Sequence, residues 1–184
     1  MANAQKHKEN LVRTAMRLFR KQGYASTGLQ QILADSGAPK GSLYHYFPGG
    51  KESLGEAAVA MAGRLIGEML TDLARRHPDD PDAFVAAYCK VMAGWMKESE
   101  FRSGCPVATT LLETAPQSPA MTAAGAAVLD SWIRTIADVF TASGIAKREA
   151  KDRAQLLLSA MEGALIQARV RRSARPILDI AKYF

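Results

Sequence analysis

The chain has 184 residues, 48% of them apolar and 23% charged, the composition of a folded globular protein rather than a disordered one. Its 24 Lys and Arg against 18 Asp and Glu leave a formal charge of +6. Charges interrupt every apolar run well short of the ~18–20 residues that span a membrane, so no membrane partner is expected. The polar stretch from Met1 to Lys8 lacks the apolar core of a signal peptide. Cys89 and Cys105 are too few for a disulfide framework and have no C-x-x-C spacing. A cytoplasmic protein with reduced thiols is the expectation.

The positive charge is concentrated. Residues 1–55 hold eight Lys and Arg against three acids, whereas the other 129 residues hold sixteen against fifteen. A basic head on a nearly neutral body suits a polyanion, although a merely solubilising surface is the plain alternative.

Taken in chain order, the apolar pattern is helical almost throughout. Leu11, Ala15, Leu18 and Phe19 share one face of a first helix that Gly23 ends. Thr27 is the expected N-cap of a short second helix through Ile32 and Leu33 to about Ser36. Gly37 closes that helix, and Pro39 suits the start of a third from Lys40 to Phe47. Pro48-Gly49-Gly50 breaks the chain before a long helix from Lys51, striped by Leu54, Ala58, Met61, Leu65, Met69 and Leu73. After the turn at His77–Asp82, Phe84, Tyr88, Val91 and Trp95 mark another helix. A helix from Pro106 to about Ala115 follows, then two long ones, Ala120–Ser143 and Lys147–Arg172, separated at Gly144. A short helix over Pro176–Tyr183 closes an all-α chain of about nine helices, with no strand alternation and no repeat.

Residues 27–47 form a helix-turn-helix pattern. Ile32, Leu33 and Leu43 must bury, and Gly37 must permit the sharp turn. Lys40, Ser42, Tyr44 and His45 are then free to face a major groove, and Gly41 allows close backbone approach. Many αα-corners share that pattern. The residues themselves go further. Thr27-Gly28-Leu29-Gln30-Gln31-Ile32, then Ser36-Gly37-Ala38-Pro39-Lys40-Gly41-Ser42-Leu43-Tyr44-His45-Tyr46-Phe47, then Lys51-Glu52-Ser53-Leu54, resemble the DNA-binding domain of the TetR family of bacterial transcriptional repressors. Upstream, Ala15, Leu18, Phe19, Gly23 and Tyr24 match the family's first helix, and the likeness covers roughly residues 8–66. Ala38-Pro39 stands where Val-Ser is commoner, and Pro48-Gly49-Gly50 is one residue longer than the usual connection. With Gly104-Cys105-Pro106-Val107, these features are similar to the branch of LmrA- and YxaF-like regulators.

The resemblance implies a three-helix DNA-binding head over residues 1–52, with its helix-turn-helix at about 29–48. It implies a larger helical body over 53–184 for ligand binding and dimerisation. Gln30, Lys40, Ser42, Tyr44 and His45 would then meet base edges or the sugar-phosphate rim, while Thr27, Tyr46 and Lys51 hold phosphates. For Tyr44, Tyr46 and Phe47 core packing is the competing role, and for His45 a solvated surface. Double-stranded operator DNA, a second copy of the chain and an unidentified apolar inducer are the implied partners.

The helix Lys147–Arg172 has two apolar faces. Ala154, Leu157, Leu158, Met161, Leu165 and Ala168 make one; Leu156, Ala160, Gly163, Ala164 and Gln167 make a second of mostly small residues, suited to a partner helix or to a central place in the monomer. Met61, Tyr88, Met92, Trp95, Cys105, Leu111, Trp132, Ile136 and Met161 are candidates to line a re-shapeable ligand pocket, and each would equally serve a helical core. Gly50-Lys51-Glu52 lacks the glycine spacing and Ser/Thr of a phosphate loop, and the histidines and cysteines lack metal-ligand spacing, so neither enzyme nor cofactor is expected. A helical protein-interaction module without DNA binding is the alternative.

Overall fold

The computed structural model describes residues 2–39 and 41–184. Among them nine α-helices and one 3-10 turn are present, and no strand. Two compact units emerge from the packing. One comprises Met1–Arg64 with Pro106–Val128, the other Leu65–Cys105 with Leu129–Phe184.

In the first unit α1 (Ala2–Gln22) ends where expected, because Gly23 takes φ +90°. Gly37, at φ +64°, ends α2 (Leu29–Ser36) in the same way. The start of α2 corrects the expectation for Thr27. Gly28 is the N-cap residue and no side chain caps the helix, whereas the Thr27 hydroxyl turns back to donate to the Gly23 carbonyl at 2.6 Å. The third helix, α3 (Ser42–Tyr46), is shorter than the stretch Lys40–Phe47. The Pro39 carbonyl accepts from both the amide (2.9 Å) and the hydroxyl (2.7 Å) of Ser42, closing a tight turn that leads into the helix. Lys40 lies outside the described residues. Leu11, Ala15, Phe19, Ile32, Leu33, Leu43, Phe47, Leu54 and Ala58 bury together into one apolar core beneath the three helices. Segment Pro106–Val128 contributes α6 (Pro106–Thr114) and the first part of α7 (Pro119–Ala142) to this unit.

The helix α4 (Lys51–Arg76) is continuous through both units. The expected functional boundary at 52/53 lies in its first turn, whereas its packing boundary falls at Arg64. Its buried arc narrows at that point. Leu54, Ala58, Val59, Met61 and Ala62 are buried before it, and Ile66, Leu70 and Leu73 after it. Leu65, expected on the stripe, is 38% exposed. At ~100° per residue the face centred on Leu54 and Met61 includes Leu65, but the face centred on Ile66 and Leu70 leaves it outside.

The second unit is built on α5 (Pro81–Glu98), capped by Asp80, whose carboxylate accepts from the Ala83 amide at 2.9 Å. With it pack α8 (Lys147–Arg171) and α9 (Arg175–Leu178), and the later part of α7 belongs to the same unit. The closing segment is therefore not one helix: α9 gives way to a 3-10 turn at Asp179–Lys182, with Ile177 and Ile180 buried. Val91 and Trp95, expected on the α5 stripe, are half-buried, and Cys89, Met92 and Met96 take the core instead.

Candidate functional site

The geometry of the helix-turn-helix follows from which α3 side chains the core takes. Leu43 is fully buried, and its neighbours on the opposite face are driven outward: Tyr44 is 63% exposed and His45 is exposed beside it. Gln30 at the start of α2 is exposed, and Gly41 is exposed with open space where a Cβ would stand. Ser42 is half-buried, its hydroxyl engaged by Pro39. Tyr46 is half-buried against the head core, its ring edge-on to His45 with centroids 4.9 Å apart. Phe47 is core. Thr27 is not on this surface at all: it is completely buried, and its hydroxyl holds the turn after α1. Lys6, Lys8, Arg13, Arg17 and Lys21 are exposed along α1. An ion pair, Arg17 to Asp35 at 3.0 Å, and an amide pair, Gln22 to Gln31 at 2.9 Å, fasten α1 to α2.

Lys51 occupies an unexpected position for a phosphate ligand. Its ammonium donates to the Ala25 carbonyl at 3.2 Å and lies 4.5 Å from the Tyr24 ring centre. Burial lowers its pKa below the usual lysine value, and the nearby Glu113 carboxylate opposes that shift. Tyr24 is pushed above the usual phenol value, chiefly by burial and then by Glu52 and Glu56. Two residues that the motif did not announce also meet here. The Glu113 carboxylate accepts from the amides of Tyr24 (3.1 Å) and Ala25 (2.6 Å), and the Ser118 hydroxyl donates to Glu52 at the start of α4. One signal was available in the sequence: Glu113 is the single charged residue between Arg102 and Asp130.

The residues named for a ligand pocket divide between the units. Met61 belongs to the head core, and Leu111 lies against Gly125, whose missing side chain makes room for it. Tyr88, Met92, Cys105, Trp132, Ile136 and Met161 are buried in the second unit, with Trp95 half-buried there. Among them is a polar cluster that periodicity does not reveal. Burial raises the Glu162 carboxyl above its usual pKa, opposed by a hydrogen bond with Cys105. Tyr88 is held well above the phenol value, first by burial and then by Glu162, Cys105 and Cys89. The Cys89 thiol is pushed up to about 11 by burial, so it stays protonated and unreactive at neutral pH.

On α8 the first apolar stripe, from Ala154 to Ala168, is buried as the sequence implies. The second is only partly free. Ala164 joins the core, while Leu156 (61% exposed), Gly163 and Gln167 face outward, continued by Ile166 (62%) and Val170 (79%). Among the described residues there is no cluster of three or more metal-ligating side chains. No described helix is long and apolar enough to cross a membrane.

Known proteins match this arrangement over nearly its full length. Residues 11–58 match the family model described as bacterial regulatory proteins, tetR family. Residues 81–183 match that of the transcriptional regulator LmrA/YxaF-like C-terminal domain. The HTH-type transcriptional regulator YxaF of Bacillus subtilis is 36% identical, with 95% of this chain and 91% of the relative covered. LmrA of the same organism, also an HTH-type transcriptional regulator, is 31% identical over 95% of this chain and 92% of its own. Among solved structures, a regulatory protein TetR from Rhodobacter sphaeroides superposes with a TM-score of 0.85 over 95% of this chain and 94% of that one, at 24% identity.

Proposed function

The chain belongs to the TetR family of bacterial transcriptional regulators, in its LmrA/YxaF-like branch, and from that premise we propose that it is a dimeric repressor released from a palindromic operator by an apolar small molecule. The observation that carries the DNA-binding part is the division of α3: Leu43 is fully buried while Tyr44 and His45 project beside the open Gly41. A helix whose polar and aromatic side chains face water next to a glycine can lie close against a major groove.

The roles divide by chemistry. Gln30, Lys40, Ser42, Tyr44 and His45 read base edges or the rim of the groove. Tyr46 and Lys51 serve phosphates, and the exposed α1 cations supply the sequence-independent attraction. Thr27 acts from beneath, by fixing the turn before α2. Two copies join through the outward face of α8, where Leu156, Ile166 and Val170 offer apolar area and Gly163 admits a close neighbour. The two-fold assembly then presents its recognition helices to half-sites about one DNA turn apart, ~34–36 Å.

An apolar ligand in the second unit, among Tyr88, Met92, Trp95, Cys105, Trp132, Ile136 and Met161, favours one of two states of the chain. Its differential affinity for those states sets how far DNA binding falls. The continuous α4 carries the change toward Lys51.

Selection of bound sequences from random DNA tests the reading. The expected product is a palindrome with half-site centres one turn apart, from which small apolar molecules then release the protein. Enrichment of no sequence, or of an unpaired half-site alone, would contradict it.

A further inference from the structure

Within the first unit, Glu113 is placed oddly for a surface acid. It stands in the last turn of α6, yet both of its carboxylate oxygens are committed to backbone amides 88 and 89 residues earlier in the chain, those of Ala25 and Tyr24. These amides belong to the turn that joins α1 to α2, so the carboxylate caps two donors that neither helix satisfies. The same turn is gripped from its other side. Its Ala25 carbonyl accepts from Lys51 at the N-terminus of α4, and Lys51 also lies over the Tyr24 ring. Inside the turn, the Thr27 amide donates to the Tyr24 carbonyl at 3.1 Å, and the Thr27 hydroxyl to that of Gly23. Gly23 is fitted to this arrangement twice over: its φ is +90°, and a Cβ there would collide with the Glu113 carboxylate.

We propose that Glu113 is a positioning residue for DNA recognition. By holding the Tyr24 and Ala25 amides opposite Lys51, it fixes the turn from which α2 departs and thereby sets the pose of α3. The inference rests on the DNA-binding reading above and adds a residue that never touches DNA. It predicts a sign opposite to that of simple electrostatics. Removing a negative charge from a DNA-binding head strengthens association if the charge acts only through its field. Loosening the turn weakens specific association instead.

The test uses the full-length protein, the operator enriched from random DNA and an unrelated duplex of equal length. Glu113→Ala is expected to weaken operator binding about tenfold, through loss of two charge-assisted hydrogen bonds that order the turn. Glu113→Gln, which keeps one acceptor oxygen, should lose less. Affinity for the unrelated duplex should hold or rise slightly in both variants, so the specificity ratio falls, a readout that a general loss of stability would not give. Amide exchange should show Tyr24 and Ala25 losing protection selectively. If Glu113→Ala does not fold, Glu113→Gln and its exchange pattern carry the test. Operator affinity unchanged or tightened in a folded variant overturns the proposal. Wild-type protein that binds neither duplex at low salt overturns the DNA-binding reading instead.

Discussion

In the unit formed by residues 1–64 and 106–128, charged side chains work at the surface and tie neighbouring segments together, Glu113 to the turn before α2, Lys51 to Ala25 and Arg17 to Asp35, while buried hydroxyls such as that of Thr27 bond back to nearby carbonyls. In the unit formed by 65–105 and 129–184, it is titratable groups that are sunk among apolar ones. Tyr88 and Cys89 are buried and Glu162 is shifted by burial. The contrast suits the two kinds of recognition proposed for the chain. A polyanion is read by exposed donors on a backbone whose pose is already set, so the polar bonds are spent on positioning. A small apolar molecule is read by a dry site with few polar groups, where each of them is costly and therefore selective.

The largest effects should come from exchanging the roles of buried and exposed aromatics. Trp132→Ala, at a side chain 1% exposed in the second unit, is expected to cost about 3–5 kcal/mol in urea unfolding. Tyr44→Ala should cost less than about 0.5 kcal/mol of stability, as exposed substitutions do. It should nevertheless shift base preference in the operator by about 1–3 kcal/mol. If Tyr44→Ala destabilised the fold and left sequence preference intact, the division between the units would be wrongly drawn.

Next in size is the α8 face. Ile166→Glu places a charge in the apolar strip proposed as the dimer contact, and sedimentation should report a monomer whose operator affinity drops steeply. A variant that remained dimeric would move the interface elsewhere. Lys51→Ala is expected to have a smaller effect, lowering the salt slope by about one per head and weakening every sequence, the operator somewhat more than the rest because the grip on the Ala25 carbonyl is lost as well. An unchanged slope would mean that Lys51 serves only the Ala25 carbonyl.

The smallest effect is a pH dependence. Burial raises the Glu162 carboxyl above its unfolded value of 4.5, so the folded chain binds the proton more tightly than the unfolded one. Wild-type stability is then lost as pH rises from 4.5 through the raised value. Glu162→Gln cannot ionise. It should melt above wild type at pH 7, with the advantage disappearing below pH 4.5, which a thermal melt series would show.

Much of the fold is legible because its punctuation is local. Gly23, Gly37 and Gly144 end helices by taking positive φ, and Pro81 and Pro106 open them at first-turn positions. The outward Tyr44 and His45 follow from Leu43 turning inward. What fails to read from the sequence is non-local or competitive. Thr27 looks like an N-cap, but α2 starts one residue later with Gly28 in the cap position, and the Thr27 hydroxyl turns back to donate to the Gly23 carbonyl. Leu65 fits the α4 period, yet the buried arc narrows after Arg64 to the side of Ile66 and Leu70 and leaves it exposed. Glu113 meets its amides across most of a hundred residues, and Glu162 owes its environment to α5 and Cys105. No window of periodicity contains those partners.

The most direct test of the account is the salt dependence of binding to the selected palindrome, measured beside an unrelated duplex. The account predicts tight binding that falls linearly on a log–log scale as salt rises, with a steep negative slope from several phosphate contacts on each of two heads. It also predicts that the palindrome keeps a large advantage over the unrelated duplex at every salt concentration. Absence of DNA binding at low salt, or equal affinity for the two duplexes, would contradict it.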